Sequence, residues 1–152
     1  MYQRVLVPLD GSRVAEAILP FIEQIAGPLD MEVLLVRVVP LTSMDVVGMA
    51  KEAQAGAPIL KEMDAQGYLE PLVASLKAKG VRAGARVRIG DPATEIVAAA
   101  KEINADLIAM TTHGRSGLGR LLFGSVAEAV LRGSPIPVFL LRTSEAALAS
   151  AA

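Results

Sequence analysis

Short runs of apolar residues alternate along this chain with longer stretches in which apolar residues recur every three or four positions. The runs are too short for helices and are bounded by turn-forming or polar residues, so they predict buried strands of a parallel sheet. They lie at 4–9, 32–39 (where Arg37 interrupts the run), 107–110 and 136–141. A further segment, 85–89, alternates apolar residues with arginines and predicts a half-exposed strand at a sheet edge.

The stretches with helical spacing predict helices between these strands. The first helix is expected to end at Gly27-Pro28. Its predicted buried face consists of Val14, Ala17, Ile18, Phe21, Ile22 and Ile25. The second helical pattern runs from Ile59 to Leu76 and contains Pro71, which predicts a kink or a break near Gly67.

Two further helices have clear start signals. Asp91-Pro92 supplies an N-cap and a proline at the first helical position. The buried face that follows consists of Ile96, Val97, Ala100 and Ile103. Gly124-Ser125 opens the last helix, and Gly133 closes it. The segment 41–57 lacks a clean period, which predicts a loop or a lid.

This alternation of strands and helices is typical of a doubly wound α/β domain, in which helices cover both faces of a parallel sheet and form three layers. Ligands bind such sheets at the carboxyl ends of the strands, where the strand order reverses. Asp10 and residues 111–114 follow two of the predicted strands, so we expect them at that edge. We expect one domain over residues 1–143 and a frayed tail over 144–152.

Composition excludes several classes of function. The chain has 152 residues, a formal net charge of −1 and no dense cluster of Lys or Arg, so a nucleic-acid surface is not expected. The absence of Cys excludes disulfides, thiolate metal sites and thiol catalysis. The apolar runs fall far short of the ~20 residues that span a bilayer. The single histidine, His113, excludes a metal site built from several histidines and offers no evident base–nucleophile pair. We expect a cytoplasmic protein without a metal site or a membrane contact.

The stretch 106–133 combines a strand, a glycine-rich loop and a helix start. Its loop carries Gly114, Gly117 and Gly119. Glycines let a backbone approach a ligand closely, and free N–H groups at a helix start attract an anion. The glycine spacing differs from the dinucleotide fingerprint, and Ser125 stands where a P-loop requires lysine, so efficient phosphoryl transfer is not expected. Taken alone, the loop fits a turn-rich connector equally well.

Polar residues near this edge allow more than one interpretation. Residues 125–128, Ser-Val-Ala-Glu, fit a capping box, so the Ser125 hydroxyl either caps its own helix or contacts a phosphate. Asp10 either caps the first helix or binds a ribose hydroxyl or a metal. Arg115 and Arg120 either contact a ligand or are solvated loop residues.

Five short segments occupy characteristic places: VLVPLDGS at 5–12, Gly-Asp-Pro at 90–92, THGRSGL at 112–118, GSVAE at 124–128 and Pro-Val at 137–138. With these segments, residues 2–142 resemble the universal stress protein family. The resemblance implies a five-stranded parallel sheet with the strand order 3-2-1-4-5. It also bears on function, because some members of this family bind ATP or AMP and others bind neither.

The nucleotide-binding members carry the pattern G-x-x-G-x9-G-[S/T]. Gly114, residues 115–123 and Gly124-Ser125 match this pattern, whereas Thr111 replaces its first glycine with a side chain that would crowd the ribose. The resemblance implies that Pro8, Leu9 and Asp10 lie beside adenine and ribose, that Val38 contacts adenine through its backbone, and that Gly114, Gly124, Ser125 and Val126 hold the phosphates. The full expected nucleotide-binding set is Pro8, Leu9, Asp10, Val38, Thr111, His113, Gly114, Arg115, Gly117, Gly124, Ser125 and Val126.

The expected function is therefore adenine-nucleotide binding by a stress-response regulatory protein, with ATP or AMP as the ligand and any Mg²⁺ held by the phosphates. Two alternatives remain: a slow ATP hydrolase, and a ligand-free dimeric scaffold that acts through protein partners. The apolar run 137–141 shows no alternation, so both of its faces are expected to be buried, although the strand order leaves it at the sheet edge. With the family resemblance, this run predicts a homodimer paired through the strand 136–142.

Overall fold

The computed structural model describes residues 1–41, 57–113 and 124–143, without the side chains of 57–60 and 113. These residues form five strands and five helices, with two helices between β1 and β2 and one between each later pair of strands. The strands are β1 (Arg4–Pro8), β2 (Glu32–Val39), β3 (Arg82–Ile89), β4 (Leu107–His113) and β5 (Val138–Thr143). The helices are α1 (Arg13–Glu16), α2 (Leu19–Ala26), α3 (Ala57–Ala78), α4 (Pro92–Glu102) and α5 (Ser125–Gly133).

The five strands form one parallel sheet in the order β3-β2-β1-β4-β5, as expected. Because side chains alternate along a strand, each strand contributes to both faces. Val5 and Val7 of β1 pack into one core cluster with residues of α2 and α3, whereas Leu6 packs into a second cluster with residues of α4 and α5. Helices therefore cover both faces, and the domain is the three-layer, doubly wound α/β fold that the pattern predicts.

The first predicted helix is split into α1 and α2. The first helix ends at Glu16, and Pro20, which has no N–H to donate to the Glu16 carbonyl, lies in the first turn of the next helix, where no such donor is needed. The second helix starts afresh and buries Leu19, Ile22 and Ala26. Phe21 and Ile25, which the periodicity predicts to be buried, are instead 46% and 36% exposed.

The second predicted helix is continuous, so the predicted break near Gly67 is wrong. Pro71 deprives the Gly67 carbonyl of its helical donor. Both residues are exposed, which allows water to hydrogen-bond this carbonyl in place of the helix. On the opposite side, Leu69 and Leu76 are fully buried in the first core cluster and hold the helix to the sheet. Most of the predicted loop at 41–57, residues 42–56, lies outside the described residues.

The two edge strands differ in detail from their predicted forms. β3 begins at Arg82, earlier than predicted, and lies at the sheet edge as expected. β5 occupies the opposite edge, and its two faces are not both buried in the single chain. Phe139 is 36% exposed and Arg142 is exposed, because no further strand or helix covers this edge in the described part of the chain. No helix among the described residues is both long and apolar enough to cross a membrane.

Candidate functional site

The turn after β1 brings Asp10 to the carboxyl edge of the sheet. Leu9 is buried, and its N–H donates to the Val36 carbonyl at 2.8 Å, which fixes the end of the strand. Asp10 is exposed, and its Oδ1 accepts from the Ser12 N–H at 2.9 Å and the Ser12 hydroxyl at 2.6 Å. Gly11 between them has a φ of 88°, a conformation that favours glycine. The carboxylate is thus held in one place at the edge.

Ser12, not Asp10, caps the first helix. Its Oγ accepts from the Ala15 N–H at 3.1 Å, and its own backbone is extended, as a cap residue requires. Of the alternatives for Asp10, direct capping of this helix is therefore not observed. Asp10 instead orients the cap, since the Ser12 hydroxyl donates to its carboxylate while accepting from Ala15.

A half-buried cluster lies beside this turn and was not predicted as part of the site. The Arg37 guanidinium stacks on the Tyr68 ring, 4.9 Å from its centroid, and the Tyr68 hydroxyl donates to Glu16 Oε2 at 2.9 Å. Burial, and then this hydrogen bond, raise the pKa of the Tyr68 hydroxyl above its ordinary value of 10.0, so it remains a donor at neutral pH. The only sequence signal was the arginine that interrupts the apolar run of β2.

Val38 lies near the end of β2, next to the turn after β1. It pairs in register with Arg88 of β3 and packs against the second core cluster. Pro8, the last residue of β1, is half-buried and pairs with Val36, which lies on β2 as Val38 does. The structure therefore brings Pro8, Leu9, Asp10 and Val38 together along the carboxyl ends of two adjacent strands.

Two consecutive threonines of β4 point to opposite faces of the sheet at the same edge. The half-buried Thr111 donates its hydroxyl to the Ala15 carbonyl at 3.2 Å, which ties β4 to α1. Thr112 is only 2% exposed and faces the start of α5. A Cβ built on Gly124 would lie 4.0 Å from the Thr112 Oγ1. β4 thus contacts α1 on one face of the sheet and the start of α5 on the other.

Helix α5 begins at this edge, with Ser125 exposed and Gly124 and Val126 half-buried. Gly124 is its N-cap with a φ of 72° and a ψ of 155°, and Ser125 is its first helical residue. Of the two interpretations of Ser125, capping of its own helix is not observed, because Gly124 is the N-cap, adopts this left-handed conformation readily, and precedes Ser125 by one position. The first N–H groups of a helix have no carbonyl partner within it, and the helix dipole is positive there. This turn, with exposed Ser125 and half-buried Val126, can receive an anion.

Residues 1–142 match the universal stress protein family. The chain belongs to this family. It is 34% identical over 144 residues to Universal stress protein MJ0531 of Methanocaldococcus jannaschii, a match that covers 93% of this chain and 83% of that protein. It is similar to the solved structure of protein MJ0577 from the same organism, with 27% identity, a TM-score of 0.81 and coverage of 95% and 99% of the two chains. It is also similar to a universal stress protein solved in complex with cAMP, with 28% identity, a TM-score of 0.68 and coverage of 94% and 98%.

In this universal stress protein, part of the expected nucleotide-binding set lies outside the described residues. Gly114, Arg115 and Gly117 belong to the undescribed segment 114–123. His113 is the last residue of β4, opposite Thr143 of β5, and the structure describes its backbone but not its side chain. The described members of the set all lie at the carboxyl ends of β1, β2 and β4 or at the start of α5. Among the described residues, no group of three or more His, Asp or Glu side chains is arranged to hold a metal ion.

Proposed function

We propose that this universal stress protein binds an adenine nucleotide, ATP or AMP, at the carboxyl edge of its sheet, and that it acts as a stress-response regulatory protein in the cytoplasm. The observation that carries the proposal is the start of α5. Gly124, in its left-handed conformation, begins a helix whose first residue, Ser125, is exposed near the point where the strand order reverses. Backbone N–H groups and a positive helix end are suited to phosphate groups without a lysine.

The Asp10 turn supports the nucleoside half of the proposal. Its exposed carboxylate lies just after β1, the strand next to β4, and is already oriented by Ser12. A fixed carboxylate accepts hydrogen bonds from ribose hydroxyls, while the Leu9 and Val38 backbones border the place for the base. The relative that binds cAMP, an adenine nucleotide, is 28% identical to this chain. His113, Gly114, Arg115 and Gly117 complete the proposed set by their family positions, and any Mg²⁺ is proposed to be held by the phosphates.

The experiment is a calorimetric titration of ATP and AMP into the wild type and into Gly124→Val. A valine side chain at Gly124 stands between the helix N–H groups and the ligand, so we expect affinity to fall by more than about tenfold, roughly 1.4 kcal/mol. The matched control is Gly80→Val. Gly80 has a φ of 80°, close to that of Gly124, and no atom within 4 Å of an added Cβ, so it reproduces the backbone strain away from the site. If a folded Gly124→Val protein binds ATP and AMP as tightly as the Gly80→Val control, the proposed site is wrong.

A second proposal concerns the assembly. β5 lies at the sheet edge with Phe139 exposed, and edge strands with unpaired backbone groups favour pairing with another strand. We propose a homodimer in which β5 of one protomer pairs with β5 of its partner. This edge also favours the ligand-free scaffold as the second candidate function, because a dimer requires no nucleotide.

A further inference from the structure

Arg37 is a charged residue on a face that is otherwise apolar. It lies on the same side of β2 as Val33 and Leu35, which are fully buried in the first core cluster. Its guanidinium reaches the carboxyl edge and packs beside the turn after β1. A Cβ built on Gly11 would lie only 3.0 Å from the Arg37 Nη1, so the guanidinium occupies the space next to the Gly11 backbone.

Tyr68 joins this arginine to the helix that follows the turn. Its ring faces the Arg37 guanidinium at 4.9 Å, a distance at which a cation is attracted to the ring. Its hydroxyl donates to Glu16, the last residue of α1, at 2.9 Å. The segment from Asp10 to Glu16 is thus held at its start by Arg37 against Gly11 and at its end by Tyr68.

We propose that Arg37 and Tyr68 are positioning residues that hold the Asp10–Ser12 turn in its nucleotide-binding conformation. The inference rests on the proposed function, because Asp10 is the group that the turn presents to the ribose. Neither residue needs to touch the ligand. β2 supplies the arginine and α3 the tyrosine, so two elements outside the turn determine where its carboxylate lies.

The first test measures the turn without any ligand. Amide hydrogen exchange is followed by NMR at Ser12 and Ala15, whose N–H groups donate to Asp10 and to the Ser12 hydroxyl. A cation–π contact corresponds to roughly threefold to thirtyfold in an equilibrium constant, so Arg37→Ala should speed exchange at both amides by about tenfold. The Thr94 N–H, which donates to the Asp91 carboxylate at 3.0 Å in a similar cap, is the internal control and should not change. Unchanged exchange at Ser12 and Ala15 in folded Arg37→Ala overturns the inference.

The second test measures nucleotide affinity in matched variants. Arg37→Ala should weaken AMP binding by about tenfold, and Arg37→Lys should restore part of the loss because it keeps a cation over the ring. Tyr68→Phe keeps the ring but loses the link to Glu16, so its effect should be smaller. Arg82→Ala, at the opposite end of the neighbouring strand, is the control and should bind like the wild type. Wild-type affinity in Arg37→Ala, despite a faster-exchanging turn, overturns the inference.

The two tests separate this inference from the function on which it rests. A wild-type chain that binds no adenine nucleotide overturns the proposed function. If such a chain still loses protection at Ser12 and Ala15 on the Arg37→Ala change, the positioning of the turn itself is supported.

Discussion

Thr111 is the residue at which this chain departs from the nucleotide-binding pattern of its family. Its hydroxyl donates to the Ala15 carbonyl, so the side chain serves as a tie between β4 and α1. A glycine at this position would have no such tie and would leave more room beside Asp10. Thr111 therefore takes up space at the candidate site, and its hydrogen bond holds β4 at a fixed distance from α1.

Two substitutions at Thr111 separate these effects. Thr111→Val keeps the volume and removes the hydrogen bond, which should lower the free energy of unfolding by about 1 kcal/mol. Thr111→Gly removes both, so we expect it to be less stable yet to bind nucleotide more tightly, by up to roughly tenfold. Urea unfolding and calorimetric titration measure the two quantities. Weaker binding in Thr111→Gly would instead make the threonine a ligand contact.

At the scale of elements, periodicity predicted every strand and the parallel sheet, because four strands carry their own apolar runs and the fifth, β3, alternates apolar residues with arginines. It failed in detail at the two prolines. The first helix splits near Pro20, and its buried face, from Val14 to Ala26 at every fourth residue, is narrower than predicted, so Phe21 and Ile25 are exposed. Pro71 does not break α3, because buried Leu69 and Leu76 hold it to the core. Neither outcome follows from spacing alone, since each depends on what the chain packs against.

The candidate site shows the same contrast between features that local sequence predicts and contacts that depend on packing. Local sequence predicted that Gly124 opens α5 and that Asp10 lies at the strand ends. It did not predict Tyr68, which contacts Arg37 and Glu16 from a helix that is distant along the chain. Such a contact has no local pattern, and Arg37 alone gave a hint by interrupting an apolar strand. The shift of the helix cap from Ser125 to Gly124 depended on backbone conformation, which composition does not encode.

At the edge opposite the candidate site, the Asp106 carboxylate holds the amino end of β1. Asp106 Oδ2, just before β4, accepts from the Gln3 N–H at 2.6 Å and the Arg4 N–H at 2.9 Å. These two bonds lower the pKa of the Asp106 carboxyl below its ordinary value of 3.8. Because the pKa is lower in the folded state, the contribution to stability is present above pH 3.8 and is lost as the pH falls through the folded-state value.

Asp106→Asn should therefore be less stable than the wild type at pH 7, and the difference should shrink below pH 4, where the wild type loses the same charge. Urea unfolding across this range measures it. Asp64→Asn, at an exposed position on α3, is the control for removal of one negative charge. A difference between wild type and Asp106→Asn that stays constant down to pH 2 would show that the carboxylate charge is not what fixes this end of β1.

At the scale of the whole molecule, the candidate site lies where the strand order reverses, between β1 and β4. β4 contributes residues to it on both faces of the sheet. Thr111 joins the face covered by α1, and Thr112 lies against the start of α5 on the other. β4 also pairs with β5 from Ile108↔Val138 to His113↔Thr143. The strand that borders the candidate site is thus the direct neighbour of the proposed dimer edge.

The exposed face of β5 determines how the dimer is tested. Val138 and Leu140 pack against the second core cluster, so a charge at either position would damage the fold as well as the interface. Phe139 is exposed, and a lysine there adds charge to the edge without entering the core. Symmetric pairing of β5 with its copy would place one such lysine from each protomer in the interface, so we expect Phe139→Lys to convert a dimer into a folded monomer in light scattering. Phe21→Lys, at a comparably exposed aromatic residue on α2, is the matched control and should stay dimeric. A wild-type chain that is monomeric at micromolar concentration, or a Phe139→Lys protein as dimeric as the control, would overturn pairing through β5.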